Sequence, residues 1–197
     1  VTGTGMATLI LGAVIALFRH DLKGLLAYST ISHLGLITAL AGIGSKGAIL
    51  AGIFHIVNHA VFKASLFMAA GITRDMRRLS GLMRLMPLTG TLAIVAAAAM
   101  AGVPMLNGFI SKEMFFAEAV DWHNGTWLDN SLPYLATFAS IFAVAYSLRF
   151  IATVFFGPPP VDLPKEPHEP TPWLRRPVEA LVLICLVVGM MPGTTLG

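Results

Sequence analysis

The chain has 197 residues, of which 56% are hydrophobic and only 12% charged, with a mean hydropathy of +0.77. A soluble domain carries about 25% charged residues, so this composition cannot furnish a water-exposed surface and describes an integral membrane protein. The net charge of +3 is spread over short clusters between apolar runs, which excludes the basic face of a nucleic-acid binder. Cys185, alone in the chain, lies in the apolar run Leu181–Met191 and can make neither a disulfide framework nor a Cys-based metal site. The sequence opens on Val1 and stops a few residues after its last apolar run, and it reads as part of a longer polypeptide.

A bilayer core needs about 20 apolar residues per crossing helix, and the spacing of polar punctuation predicts about six transmembrane segments. The first runs from Val1 to Phe18 and is closed by Arg19-His20-Asp21-Leu22-Lys23. The second, Leu22 to Ile43, admits Lys23, Tyr28, Ser29, Thr30, Ser32 and His33. The third, Ala48 to Ile72, contains His55, Asn58, His59 and Lys63, and a basic loop from Arg74 to Arg84 follows it. The fourth, Pro87 to Gly102, is Ala-rich, and Val103-Pro104 is expected to end it because proline lacks a backbone donor and clashes with a continuing helix. Phe109 to Val120 is too short to cross alone and reads as half of a broken helix carrying Lys112, Glu113 and Glu118. The fifth crossing is Leu132 to Phe156, with Arg149 inside it. A Pro-rich connector over 157–177 leads to a sixth, Val178 to Met191, so the expected organisation is a bundle over 1–156, the connector, and a further segment over 178–197. Trp122, Trp127 and Trp173 are expected in the connections, as in an aromatic belt. Short-loop charge is heaviest on the side of Arg19, Lys23 and the Arg74 to Arg84 loop, which the positive-inside rule places in the cytoplasm.

A lysine at mid-bilayer costs about 2.5–3.5 kcal/mol on insertion scales, so each one retained there implies a partner, a wet cavity or a function. His55, His59 and Lys63 follow at i, i+4 and i+8, which puts them within about 80° on one helical face, rising about 12 Å along the axis. Imidazole takes a proton on one nitrogen and gives one from the other, so the column has the chemistry of a proton wire, against a bland alternative of interhelical hydrogen bonding. A zinc site is the weaker rival, because Ile56 follows His55 and Lys63 would repel a cation on that face. His33 facing His55 or His59 could also hold a haem axially. Lys23 reads as a snorkelling interfacial lysine, and Lys112, beside the helix break, reads either as a gate or as an interfacial ion pair with Glu113 or Glu118.

Three stretches resemble the antiporter-like subunits shared by respiratory complex I and multisubunit cation/proton antiporters. They are Asp21-Leu22-Lys23-Gly24-Leu25-Leu26-Ala27-Tyr28-Ser29-Thr30-Ile31-Ser32-His33, Phe54-His55-Ile56-Val57-Asn58-His59-Ala60-Val61-Phe62-Lys63-Ala64 and Gly108-Phe109-Ile110-Ser111-Lys112-Glu113. The stretches Thr73-Arg74-Asp75-Met76-Arg77-Arg78-Leu79-Ser80-Gly81-Leu82 and Ala101-Gly102-Val103-Pro104-Met105-Leu106-Asn107-Gly108-Phe109 are most similar to the A subunits of the Mrp type. The resemblance implies an all-α membrane fold, the second of two inverted five-helix repeats. It implies a proton pathway through Lys23, His55, His59, Lys63 and Lys112, to which the reading of the residues adds His33 and Glu113. It further implies no cofactor and no metal, a place among other membrane subunits of a hetero-oligomeric complex in a bacterial or archaeal cell membrane, and protons exchanged for a cation, Na+ in first expectation. The alternative is a proton-pumping subunit of NADH:quinone oxidoreductase or of a membrane-bound hydrogenase. The family usually carries a short polar stretch where this chain passes directly from Ile72 to Thr73.

Overall fold

The computed structural model describes residues 1–69, 76, 79–123, 125, 127–159, 169–191 and 193, and the regular elements among them are helices. The Ile72–Thr73 junction and residues 74, 75, 77 and 78 of the Arg74 to Arg84 loop lie outside the described residues. The helices are α1 (Thr2–Phe18), α2 (Leu22–Ile43), α3 (Lys46–Ala69), the one-turn α4 (Leu82–Leu85), α5 (Pro87–Ala101), α6 (Asn107–Asp121), α7 (Trp127–Phe155) and α8 (Pro172–Met190). The windows Leu22–Ile43, Lys46–Met68 and Asn130–Phe155 are long and apolar enough to cross a membrane, while α1 and α5 are apolar but shorter. One crossing is composite: α5 enters from the end of the bundle that holds Arg19, and α6 continues to the end that holds Ser45.

Small residues let α1 and α2 pack backbone to backbone. A Cβ placed on Gly12 would meet the Ser32 amide nitrogen at 2.6 Å, and one on Gly35 would meet Leu9 Cα at 2.8 Å. Such contact is the usual means of helix association where lipid offers no hydrophobic drive. Ser32 Oγ reinforces it by donating to Leu9 O at 2.8 Å.

The ends of the helices are tied by side chains from distant parts of the chain. The N-cap of α5, Met86, offers no side-chain bond, and Glu169 takes that role. Its Oε1 accepts from the Leu88 and Thr89 amides at 2.8 and 3.3 Å, and its Oε2 accepts from Thr89 Oγ1 at 2.6 Å. A carboxylate there also meets the positive end of the helix dipole. At the opposite end of the bundle, Ser45 Oγ accepts from the Ala48 amide at 2.9 Å to cap α3 and donates to Glu118 of α6. Arg149 donates to Leu17 O at the end of α1 and bonds His20 Nδ1 at 2.9 Å, so the charge expected inside the fifth span is used at a helix terminus.

Three expectations are corrected. Gly102, at φ +88, ends α5, its amide donating to Ala98 O and Ala99 O at 3.0 and 3.1 Å. Pro104 lies in the following turn, where Met105 also has positive φ, at 70°. Helix α8 begins at Pro172, inside the stretch read as connector, because proline is suited to the first turn, where its missing donor is not needed. Trp127 and Trp173 accordingly open α7 and α8 rather than lying in connections.

Gly12→Val is expected to destabilise the bundle by about 1–3 kcal/mol, the range for overpacking a close contact, read as a lower unfolding midpoint of the detergent-solubilised protein. Valine at the exposed Gly44 position would test the left-handed backbone there instead, not the α1–α2 contact.

Candidate functional site

The third helix brings its polar residues inward as the i, i+4, i+8 spacing requires. His55, Asn58 and Lys63 are buried, and His59 is half-buried beside them. Helix α2 runs antiparallel to α3 and delivers His33 into the column at mid-length. The His33 ring lies 5.1 Å from that of His55 and 5.0 Å from that of His59, centroid to centroid, with His55 and His59 6.2 Å apart. Three imidazoles thus form one cluster across two helices, with Phe62 packed against His33 and His59 as an apolar wall.

The hydrogen bonds within the cluster have a direction. Ser111 Oγ donates to Gly108 O at 3.2 Å, since a carbonyl can only accept. In the tautomer that keeps the serine proton on Gly108 O, the contact with His55 Nδ1 at 2.9 Å is one in which the imidazole donates. His55 Nε2 then carries the lone pair and accepts from His33 Nδ1 at 3.0 Å. In that tautomer both rings carry Nδ1–H, and a lone pair remains on His33 Nε2. The His33–His55 bond also uses the His55 lone pair that a zinc ion or a haem iron would need.

Lysines flank the cluster. Lys63, one turn beyond His59, donates to Leu26 O at 3.0 Å and to Ser29 Oγ on α2. Lys112 donates to Met100 O at 3.0 Å and Ala101 O at 2.8 Å. These are two of the carbonyls that the end of α5 leaves without intrahelical partners, so a cation satisfies both their hydrogen bonds and the negative end of the dipole. The break in the helix and the burial of Lys112 are one feature: Gly102, at the turn, also lies against the lysine side chain.

Three participants, Asn58, Asn107 and Ser111, escaped the sequence reading as site residues. Asn58 and Asn107 exchange bonds, Asn58 Nδ2 to Asn107 O at 3.2 Å and Asn107 Nδ2 to Asn58 Oδ1 at 3.1 Å, clamping α3 to the start of α6. Asn58 had a signal, since it follows His55 by three residues and shares its face. Ser111 had none beyond adjacency to Lys112. The structure does not bring Lys23 or Glu113 into the cluster. Lys23 is exposed in the first turn of α2, about 15 Å along the helix from His33. Glu113 is exposed, turned about 100° from Lys112 as adjacency on a helix dictates.

Apolar helices around a buried cluster of imidazoles and lysines beside a broken helix define a multi-pass membrane protein with titratable side chains in its interior. Residues 1–144 match the family described as NADH:quinone oxidoreductase/Mrp antiporter, TM, and the chain belongs to it. It is 65% identical over 199 residues to the A/B subunit of a probable K+/H+ antiporter of Rhizobium meliloti, covering 98% of this chain and 20% of that protein. With the A1 subunit of a Na+/H+ antiporter of Staphylococcus saprophyticus it shares 36% identity over 222 residues, covering 100% of this chain and 28% of the relative. Among solved structures, the Mrp complex from Dietzia sp. DQ12-45-1b superposes with a TM-score of 0.82 at 41% identity, covering 98% of this chain and 21% of that one. Respiratory complex I from Thermus thermophilus gives a TM-score of 0.83 at 25% identity, covering 96% of this chain and 40% of that one. The chain thus spans about a fifth to two-fifths of the length of these relatives. The all-α membrane fold and the likeness to Mrp A subunits expected from the motifs both hold.

Asn58→Ala should lower stability by about 1–3 kcal/mol, because it leaves the Asn107 amide buried without its partner. The check is thermal unfolding of the purified complex, and an unchanged midpoint would show that the clamp contributes nothing.

Proposed function

We propose that this chain is the proton-conducting part of a subunit of a multisubunit alkali-cation/proton antiporter. In this reading protons pass within the membrane between Lys112 and Lys63 by way of the imidazoles of His33, His55 and His59, without covalent chemistry. The observation that carries it is the insertion of His33 between the α3 histidines, which turns a one-helix column into a contiguous cluster with a lysine on either side. Imidazoles in contact can hand a proton on by accepting at one nitrogen and releasing at the other. Lys23 and Glu113 are assigned to the water-facing ends of the route, in keeping with their exposure.

The names of the relatives support the antiporter reading, and they differ in the cation: K+ for the one at 65% identity and Na+ for the one at 36%. We assign an alkali cation, with K+ ahead of the Na+ first expected. The partners are other membrane subunits of a complex in a bacterial cell membrane. Residues 1–156 are taken as the conducting bundle, with the segment over 178–197 as a further crossing. A second reading, a proton-pumping subunit of a redox complex, draws on the likeness to complex I and to the membrane-bound sulfane sulfur reductase, the latter at a TM-score of 0.85 and 29% identity. Flavin or iron–sulfur absorbance co-purifying with the protein would favour it.

In everted vesicles with equal protein in the membrane, Lys63→Ala and Lys112→Ala are expected to abolish cation-dependent proton transport. Lys63→Arg should fail as well, since guanidinium keeps its proton at physiological pH. His59→Ala should slow transport, and Glu113→Ala should only weaken it. Wild-type rates for Lys63→Ala would end the relay, and loss in Glu113→Ala as severe as in Lys112→Ala would make the carboxylate an equal partner.

A further inference from the structure

The proton pathway leaves a buried hydroxyl unused. Tyr146 on α7 is fully buried, and among the described residues its hydroxyl has no hydrogen-bond partner. Buried tyrosines ordinarily find a partner for that group, because a hydroxyl removed from water without one is costly. The same is true of His33 Nε2, also buried and without a partner among the described residues. Both residues line one small cavity between α1, α2, α6 and α7, together with Lys112 and Ser32. The cavity has room for about one water molecule.

The hydrogen-bonding capacities around this space are complementary. His33 Nε2 is without a partner among the described residues, and it carries a lone pair in the tautomer that keeps the Ser111 proton on Gly108 O. Lys112 has three N–H donors and spends two of them on Met100 O and Ala101 O, leaving a third. The tyrosine hydroxyl can both donate and accept. Ser32 Oγ donates to Leu9 O, and its acceptor positions remain. A buried water is held by two to four polar groups, and four with unspent capacity meet here.

We propose that this cavity is a water site held by Tyr146 Oη, His33 Nε2 and Lys112 Nζ, and that Tyr146 is the positioning residue which makes that water the link between lysine and histidine. The proposal rests on the proton-conducting reading of the cluster. The bookkeeping of the step is simple. The Lys112 ammonium gives a proton to the water, the water gives one of its own to His33 Nε2, and the lysine is left a neutral amine. The imidazolium so formed holds two N–H groups and can release the Nδ1 proton towards His55 Nε2. Tyr146 neither gains nor loses a proton overall; it orients the water so that one lone pair faces the lysine and one hydrogen faces the imidazole. Without this link the cluster has no donor aimed at the His33 lone pair, and Lys112 is joined to the imidazoles only through the backbone of α6.

Tyr146→Phe tests this in the complete antiporter complex, since it deletes the hydroxyl and keeps the ring. A high-resolution cryo-electron microscopy map of the wild-type complex is expected to show density within hydrogen-bond distance of Tyr146 Oη, His33 Nε2 and Lys112 Nζ, and the Tyr146→Phe map is expected to lose it. Proton flux in proteoliposomes should fall by roughly tenfold or more, the loss of about one hydrogen bond in the conducting state, with assembly unchanged. A map that resolves other internal waters but none here overturns the site. Wild-type flux in Tyr146→Phe, with Lys112→Ala inactive, overturns the role of Tyr146 while the cluster reading stands. Wild-type flux in both variants brings down the cluster reading and the link with it, whereas the density still decides the water site.

Discussion

A hydrogen bond between two imidazoles, His33 Nδ1 to His55 Nε2, is the contact on which the interior depends. Each ring would be an expensive guest in a membrane helix by itself, and each is fully or nearly fully buried. Bonded to one another they satisfy most of their polar atoms without water, and the bond sets the register of α2 against α3. The small-residue contact of α1 with α2 serves the same end: it presses α2 into place, so that Ser32 can bond the α1 backbone while its neighbour His33, about 100° further round the helix, reaches α3.

The second constraint is the interruption between α5 and α6. An unbroken helix here would offer no free carbonyls, and Lys112 would be a lone cation in an apolar bundle. Gly102 stops α5, the freed carbonyls of Met100 and Ala101 take the ammonium, and the new helix begins with Asn107 and Ser111 bonded to Asn58 and His55 of α3. Asn107 and Ser111 thereby bond side chains of α3, while Lys112 bonds the backbone that the break sets free. Helix α8 closes the rear of the break, where a Cβ on Gly189 would run into the backbone of Met105 and Leu106. Remote caps such as Glu169 on α5 keep the ends of the segments anchored while the interior holds these groups.

Much of this is legible in the residues because membrane spans and helical faces follow simple periods. Leu22–Ile43 is placed to the residue, and the inward face of α3 follows from the spacing of His55, His59 and Lys63. What cannot be read is the partnership between helices. His33 is a candidate for burial, yet nothing in a linear sequence says that its ring enters the α3 column. Lys112 is expected to look to a carboxylate or to water, and it bonds backbone carbonyls, groups that every residue has and that carry no signal. Tyr146 has an apolar ring in an apolar span and passes for packing until the cavity beside it is seen. Lys23 illustrates the converse, a motif residue that lies at the surface of this bundle, far from the imidazoles.

Nuclear magnetic resonance of the reconstituted protein, with 15N in its histidine rings, reads the hydrogen-bond chain from His33 through His55 to Ser111 directly. Both His33 and His55 should be found as the Nδ1–H tautomer, with a through-hydrogen-bond coupling between His33 Nδ1 and His55 Nε2. A proton on Nε2 of His33, or the absence of that coupling in a spectrum that resolves both rings, would contradict the assignment and with it the conducting order drawn here.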